Sequence, residues 1–172
     1  LGGGGAVTFS ELHYQPLGDP RLEWLELYNP LAVRVDLSGF RIEGAVRYVF
    51  PEGTFLSGRG YLVLAADAER LNRSAGAPLA AGSYSGQLPD EGGTVELWNN
   101  AGRRLDLLTY SDREPWPVPP GGSGASLAKA SPTTPSELAE SWTHSAQPGG
   151  TPGQANFPES RAPTVATLVS AD

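Results

Sequence analysis

The sequence lacks cysteine and methionine, and only one of its twelve basic residues is lysine. Without cysteine, neither a disulfide nor a thiolate metal site can form. The net charge of -7 disfavours binding to nucleic acids and to anionic membranes, because both select basic surfaces. No run of about 18 apolar residues is present, which argues against a membrane-spanning helix. We therefore expect partners other than nucleic acid and no membrane insertion.

Glycine and proline are abundant, with 22 and 16 residues in the 172-residue chain. Their clusters separate short apolar segments, a pattern that predicts strands joined by turns rather than a disordered chain. We expect residues 1-5 to be a flexible glycine-rich segment. Because Leu1 begins the chain in place of methionine, we expect that the chain was processed or excised from something longer.

Alternating apolar residues predict strands near the start of the chain. In a strand over residues 6-14, Phe9 and Glu11 fall on the same face. In a strand over residues 22-29, Glu26 falls on the face opposite to the leucines. We interpret Glu26 as a solvent-facing residue, paired across the sheet with an arginine.

Several further segments extend the all-β pattern. The continuous apolar run at residues 61-65 predicts a central strand that is covered on both faces. Residues 94-98 and 104-110, joined by a turn at 99-102, predict a β-hairpin. Residues 67-73 favour a short helical turn, and residues 135-139 a second one. Short strands with regular turns predict a β-sandwich over residues 6-111.

The remainder of the chain divides into two parts. Residues 112-157 predict an irregular Pro/Gly-rich C-terminal extension, packed on or beside the sandwich. Residues 158-172 form a tail with an uncharged, β-prone segment that is a candidate inter-subunit strand. Its candidate interaction residues are Thr164, Val165, Ala166, Thr167, Leu168 and Val169.

A series of motifs occurs in a fixed order along the chain. They are SELHY at 10-14, EWLELYN at 23-29, VDLSGF at 35-40, GYLVLA at 60-65, GGTVEL at 92-97, GASL at 124-127 and GTPGQAN at 150-156. Together they resemble the bacterial lamin-tail domain and the extension that often follows it, over about residues 6-157. Gln15 and Phe40 depart from the pattern, in which asparagine and tryptophan are usual.

The resemblance implies an immunoglobulin-like β-sandwich that acts as an interaction module without a catalytic site. It also implies an exported protein, at an extracellular or cell-surface location. Fold alone does not establish function, so the individual residues must be considered as well.

Few residues suggest catalysis or metal binding. His13 and His144 are the two histidines, and neither belongs to a metal-binding pair, so we interpret both as structural or surface residues. We expect no cofactor, with calcium as the alternative because oxygen-rich loops bind it. The loop carboxylates are Asp19, Asp67, Asp90, Glu91 and Asp112. The tryptophans favour packing at the core edges over a contact platform: Trp24, Trp98, Trp116 and Trp142.

Two functions are consistent with this sequence. In the first, the chain is a structural subunit that binds copies of itself, with the segment Thr164 to Val169 adding to the sheet edge of another subunit. Repeated head to tail, such contacts build an extracellular filament or a surface layer. In the alternative, the chain is an accessory binding domain of a larger secreted hydrolase of nuclease or phosphatase type.

Overall fold

Short strands dominate the computed structural model, which describes residues 7-117 and 123-158. Turns rich in glycine and proline end these strands, as the sequence predicts. One helix of eight residues, α1 (Ala68–Ala75), follows the seventh strand. The strands are β1 (Thr8–His13), β2 (Trp24–Tyr28), β3 (Val35–Asp36), β4 (Arg41–Gly44), β5 (Val46–Val49), β6 (Phe55–Leu56), β7 (Tyr61–Ala65), β8 (Ala80–Ser83), β9 (Ser85–Gly86), β10 (Gly92–Trp98), β11 (Arg104–Ser111), β12 (Leu127–Lys129) and β13 (Trp142–His144).

Two sheets face each other and form a β-sandwich. The six-stranded sheet has the order β13-β12-β1-β2-β7-β8, and the five-stranded sheet has the order β11-β10-β4-β5-β9. A small pair, β3 and β6, lies apart from both. The predicted all-β, immunoglobulin-like sandwich is confirmed, and so is the hairpin of β10 and β11.

The inward-facing residues of both sheets form one apolar core. Alternation places every second residue of a strand inside, and the longer strands β1, β2, β7, β10 and β11 each supply two buried core residues. Burial of this apolar surface is the main driving force for the fold. Members that are at most 1 % exposed include Phe9, Leu12, Leu25, Leu27, Leu64, Ile42, Val95, Leu97, Leu108 and Tyr110.

The outer face of the six-stranded sheet is covered as well. Helix α1 packs Leu71 against Trp24 and Val63 in a second apolar cluster. The helix begins where the Asp67 carboxylate accepts the Arg70 N–H at 3.0 Å, and it ends at Gly76 with φ +68°. The prediction that residues 61-65 form a strand covered on both faces is therefore confirmed.

The region after the sandwich contributes to this sheet. Strand β12 pairs antiparallel with β1, and β13 pairs with β12. Residues 148-157, here called the strap, then cross the outer face of the sheet beside α1, with Gly153 near Leu79. The chain after residue 123 is thus part of the folded body as far as the structure describes it.

Candidate functional site

Two glutamates lie side by side beneath the strap. Glu11 of β1 is the cross-strand partner of Glu26 in β2, and both side chains are fully buried. A β-bulge between Phe9 and Glu11 makes Phe9 pair with Leu27 while Glu11 pairs with Glu26. Because consecutive residues of β2 point to opposite faces, the bulge sends Phe9 into the core and Glu11 outward. The prediction that Phe9 and Glu11 share a face is therefore wrong.

The strap binds this carboxylate pair through its backbone. Thr151 donates its N–H to Glu11 Oε1 at 3.0 Å and its hydroxyl to Glu11 Oε2 at 2.9 Å. Gly153 donates its N–H to Glu26 Oε2 at 2.6 Å. At Gly150, with φ +69°, a side chain would collide with the Glu11 carboxylate. The two glutamates therefore act as anchors for residues 150-153.

Two further contacts complete this attachment. Asn156 donates its amide to the carbonyl oxygens of Ser10 and Lys129, at 2.9 and 3.1 Å. Ser126, which directly precedes β12, donates its hydroxyl to Glu11 Oε1. Ser10, the extra residue of the bulge, thus has two effects. It turns Glu11 away from the core, and its carbonyl oxygen accepts a hydrogen bond from the strap.

The interpretation of Glu26 as a solvent-facing residue is wrong. Its side chain does point away from the core, but the strap covers it, and no arginine pairs with it among the described residues. Burial raises the pKa of Glu26 to about 8; the Gly153 N–H opposes this shift and the charge of Glu11 adds to it. Burial also raises the pKa of Glu11, against the donors Ser126 and Thr151.

A second buried network joins the extension to β11. Lys129 donates from Nζ to the hydroxyls of Thr8 and Ser136, both at 2.8 Å. Each of those hydroxyls donates to Asp106 Oδ2 at 2.7 Å. The Phe9 N–H donates to the same oxygen at 2.8 Å. Burial lowers the pKa of Lys129 to about 8, and the nearby Asp106 carboxylate opposes this shift. Two hydroxyl groups thus connect opposite charges on β12 and β11.

Two other polar side chains hold loops against β2. Glu23 accepts the Tyr84 hydroxyl and the Leu88 N–H, both at 3.0 Å. Glu23 and Glu26 therefore hold different segments. Asn29 is also fully buried, and it joins two loops through four hydrogen bonds. Its amide donates to Val33, Leu56 and Ser57 carbonyls at 2.8, 3.2 and 3.1 Å, and its oxygen accepts the Leu31 N–H at 3.0 Å.

The two histidines occupy different environments. His13 is 4 % exposed and its ring lies 5.7 Å from the Trp24 ring, whereas His144 is exposed at the sheet edge. Burial lowers the pKa of His13 to about 4, so its ring is neutral at pH 7. Among the described residues, neither ring belongs to a group of three histidine or acidic side chains that could hold a metal ion.

An apolar groove of about 350 Å³ lies between α1 and the strap. His13 and Trp24 line it together with Leu71, Leu79 and Pro152. No charged side chain lines the groove. Its surface can therefore pack against apolar groups but offers few polar contacts that would orient a ligand.

The tryptophans serve mostly as packing residues. Trp24 and Trp142 are 1 % and 4 % exposed, and Trp116 packs against the main core. Trp98 differs, because it lies on the outer face of the five-stranded sheet with the Arg41 guanidinium 5.2 Å from its ring. Packing at the core edges is thus the role of three of the four tryptophans.

The loop carboxylates do not converge. Asp19 pairs with Arg21 and Arg70, at 3.0 and 2.8 Å, and Asp67 caps α1. Within residues 7-117 and 123-158, no three histidine or acidic side chains come close enough to hold a metal ion. Calcium binding thus remains a hypothesis without a located site.

The five-stranded sheet ends at β11, which is eight residues long. Asp112 donates its N–H to Glu91 O, and Ala45 donates to Thr94 O. Since bonded pairs alternate along an antiparallel ladder, the N–H and C=O of Thr109, opposite Thr94, point away from β10. No strand lies beside them in the described part of the chain. The Leu107 N–H points the same way, but it already donates to Oδ1 of the neighbouring Asp106 at 3.0 Å.

A family model described as Lamin Tail Domain matches residues 3–112, which is more than half of the chain. This chain belongs to the Lamin Tail Domain family. The match spans β1 to β11, so the lamin-tail sandwich supplies Glu11, Glu26 and the β11 edge, while the strap lies beyond it. The resemblance seen in the sequence is confirmed. Comparison with curated proteins gives no match.

Lamin-tail domains are non-catalytic, immunoglobulin-like modules with an interaction or structural role. In the described residues, no helix combines the length and apolarity that crossing a membrane requires. The candidate interaction residues Thr164 to Val169 lie outside the described residues. The anchors Glu11 and Glu26 were missed by sequence reasoning, although the GTPGQAN motif at 150-156 was a usable signal for a loop that needs a partner.

Proposed function

We propose that this chain is an exported, non-catalytic structural module that binds copies of itself by strand addition. The open edge of β11 carries the proposal. A strand placed beside it would bond with the outward N–H and C=O of Thr109, while its alternate side chains specify the fit. Export to the cell surface or the extracellular space is proposed because of the resemblance to bacterial lamin-tail proteins.

The segment Thr164 to Val169 is proposed as the donor strand. It is six residues long, rich in threonine and valine, and uncharged. Such a segment favours a β-strand whose side chains become buried when it adds to a sheet edge. Pairing with β11 of another copy makes a head-to-tail contact, which extends into a filament when the rotation does not close. The acceptor strand has eight residues; because Asp106 already accepts the Leu107 N–H, the bonds to the donor are proposed at Thr109.

A cleft beside β11 supports this docking position. About 260 Å³ of space lies between residues 104-107 of the strand and residues 135-137 of the extension. The cleft flanks the start of β11, where an antiparallel neighbour would end. An added strand thus has both an unpaired edge and adjacent room.

Deletion of residues 162-172 tests the donor. We expect the full chain to show a mass that increases with concentration in light scattering, and the truncated chain to remain a folded monomer. The truncation leaves every described element intact, because it begins after Pro158. A full chain that stays monomeric at millimolar concentration, or a truncated chain that still assembles, contradicts the proposal.

Thr109→Pro tests the acceptor. Proline removes the outward N–H and obstructs a neighbouring strand, whereas the bonds to β10 are made by the adjacent residues. We expect the Thr109→Pro chain to be monomeric but to form a 1:1 complex with the truncated chain, since one retains the donor and the other the acceptor. Thr109→Ala is the matched control, because it loses the same hydroxyl bond to Thr94 but keeps the N–H. Equal assembly by the proline and alanine variants would rule out β11.

A further inference from the structure

The carboxylate pair is buried without a compensating cation. Glu11 and Glu26 are cross-strand partners with no exposed surface, and Glu26 Oε1 has no hydrogen-bond partner among the described residues. Two adjacent negative charges removed from water repel each other strongly, so one carboxyl group keeps its proton. Glu11 is the anion, because its two oxygens accept three donors from Thr151 and Ser126.

The surrounding elements contribute no counter-charge. From β7, the nearest titratable neighbour is Tyr61, whose pKa is raised to about 12 by burial and by Tyr28 and the two glutamates. From β12, Lys129 directs its ammonium to Thr8 and Ser136 instead. The strap, residues 148-157, contains no ionisable side chain.

A bound metal ion fits this arrangement poorly. Glu11 Oε1 and Oε2 and Glu26 Oε2 already accept N–H or O–H donors, which occupy the positions that a cation would need. No third acidic or histidine side chain joins the pair within the described residues. A proton satisfies the pair with the donors in place.

We propose that Glu11 and Glu26 form a proton-dependent latch, which holds the strap on the sheet while the pair keeps a proton and releases it when the pair loses that proton. Release is local, because residues 148-157 contribute neither to the main core nor to the second apolar cluster. The inference does not depend on self-assembly through β11.

The direction of the pH dependence follows from Glu26. Its pKa is about 8 with the strap closed and returns towards the ordinary value of 4.5 when the strap opens. The closed state therefore binds the proton more tightly and is favoured at low pH. Its advantage decreases as the pH rises and is lost once the pH passes about 8.

Amide hydrogen exchange of the full chain tests the latch. We expect the protection factors of the Thr151 and Gly153 amides, corrected for intrinsic exchange, to fall by up to about tenfold per pH unit between pH 5 and 8 and to level off above. Amides in the β10–β11 hairpin should keep their protection. Glu26→Gln keeps an acceptor for Gly153 but cannot ionise, so its strap protection should lose this pH dependence. Glu52→Gln, at an exposed turn, should behave as the wild type.

A direct titration supplies a second test that needs no variant. The carboxyl carbon of Glu26, followed by NMR in the wild-type chain, should titrate near pH 8 in step with the loss of strap protection. Titration of Glu26 near pH 4.5, strap protection that is constant from pH 5 to 9, or a Glu26→Gln chain with wild-type pH dependence would each overturn the latch.

Discussion

Replacing Lys129 with methionine should lower the free energy of unfolding by about 3 kcal/mol. Methionine fills most of the lysine volume, so the loss comes from the ammonium and its two hydrogen bonds. Its removal leaves the charge of Asp106 with hydroxyl and N–H donors but no cation, and breaking such a pair costs about 3–5 kcal/mol when both partners are buried. The lower end of this energy range applies here because Asp106 is only partly buried. Urea unfolding at pH 7, followed by tryptophan fluorescence, measures the change.

Two controls separate charge from packing in this experiment. Arg113→Met removes a positive charge that is 85 % exposed, and the unfolding free energy should change by at most about 0.5 kcal/mol. Adding Asp106→Asn to Lys129→Met removes the stranded charge but retains an oxygen for the Phe9 N–H, and it should restore part of the stability. A Lys129→Met chain as stable as the wild type would show that the network contributes nothing.

Asn29→Ala should also destabilise the protein by about 3 kcal/mol. The substitution leaves the Leu31 N–H and the carbonyls of Val33, Leu56 and Ser57 without their partner, and each buried unsatisfied group costs about 1–3 kcal/mol. Water can reach part of this loop region, so the sum of four such costs is not reached. Unfolding in urea at 25 °C gives the value.

Both the N–H donors and the size of the Asn29 side chain contribute to the stability of the protein. Asn29→Asp keeps the acceptor for Leu31 but replaces the donor for three carbonyls with an oxygen, so it should be at least as destabilising as alanine. Asn100→Ala, at an exposed hairpin turn with a single bond to Ser38 at 3.3 Å, is the matched control and should have little effect. Similar values for Asn29→Ala and Asn100→Ala would contradict the role of Asn29 as a loop anchor.

The sequence predicts the sandwich well where strands have a strong apolar pattern. Residues 61-65 form the strand that their continuous apolar run predicts, and the hairpin around 99-102 forms where alternation predicts it, because the apolar side chains themselves determine burial in both. Strands β8 and β9 were missed, since alanine, glycine and serine give no periodic signal. The short turn predicted at 67-73 is an eight-residue helix, whose polar face obscures the single buried Leu71.

The candidate site was less predictable than the fold. A strand pattern places Glu26 opposite the leucines correctly, yet it cannot show that a segment about 127 positions later covers it. The bulge at Ser10 has no periodic signature either, and it reverses the expected side of Glu11. Local pattern therefore determines which residues form the core, whereas long-range cover determines which polar residues become anchors.

The extra residue of the bulge, Ser10, links two distant parts of the chain. It couples the orientation of an acid near the start of the chain to a glycine-rich loop near its end. If β1 kept Ser10 but paired regularly with β2, without the bulge, the Glu11 carboxylate would lie inside the sandwich on the side of Phe9, and the loop at residues 150-153 would lose its receptor. The bulge and the loop are therefore structurally interdependent, although about 140 positions separate them.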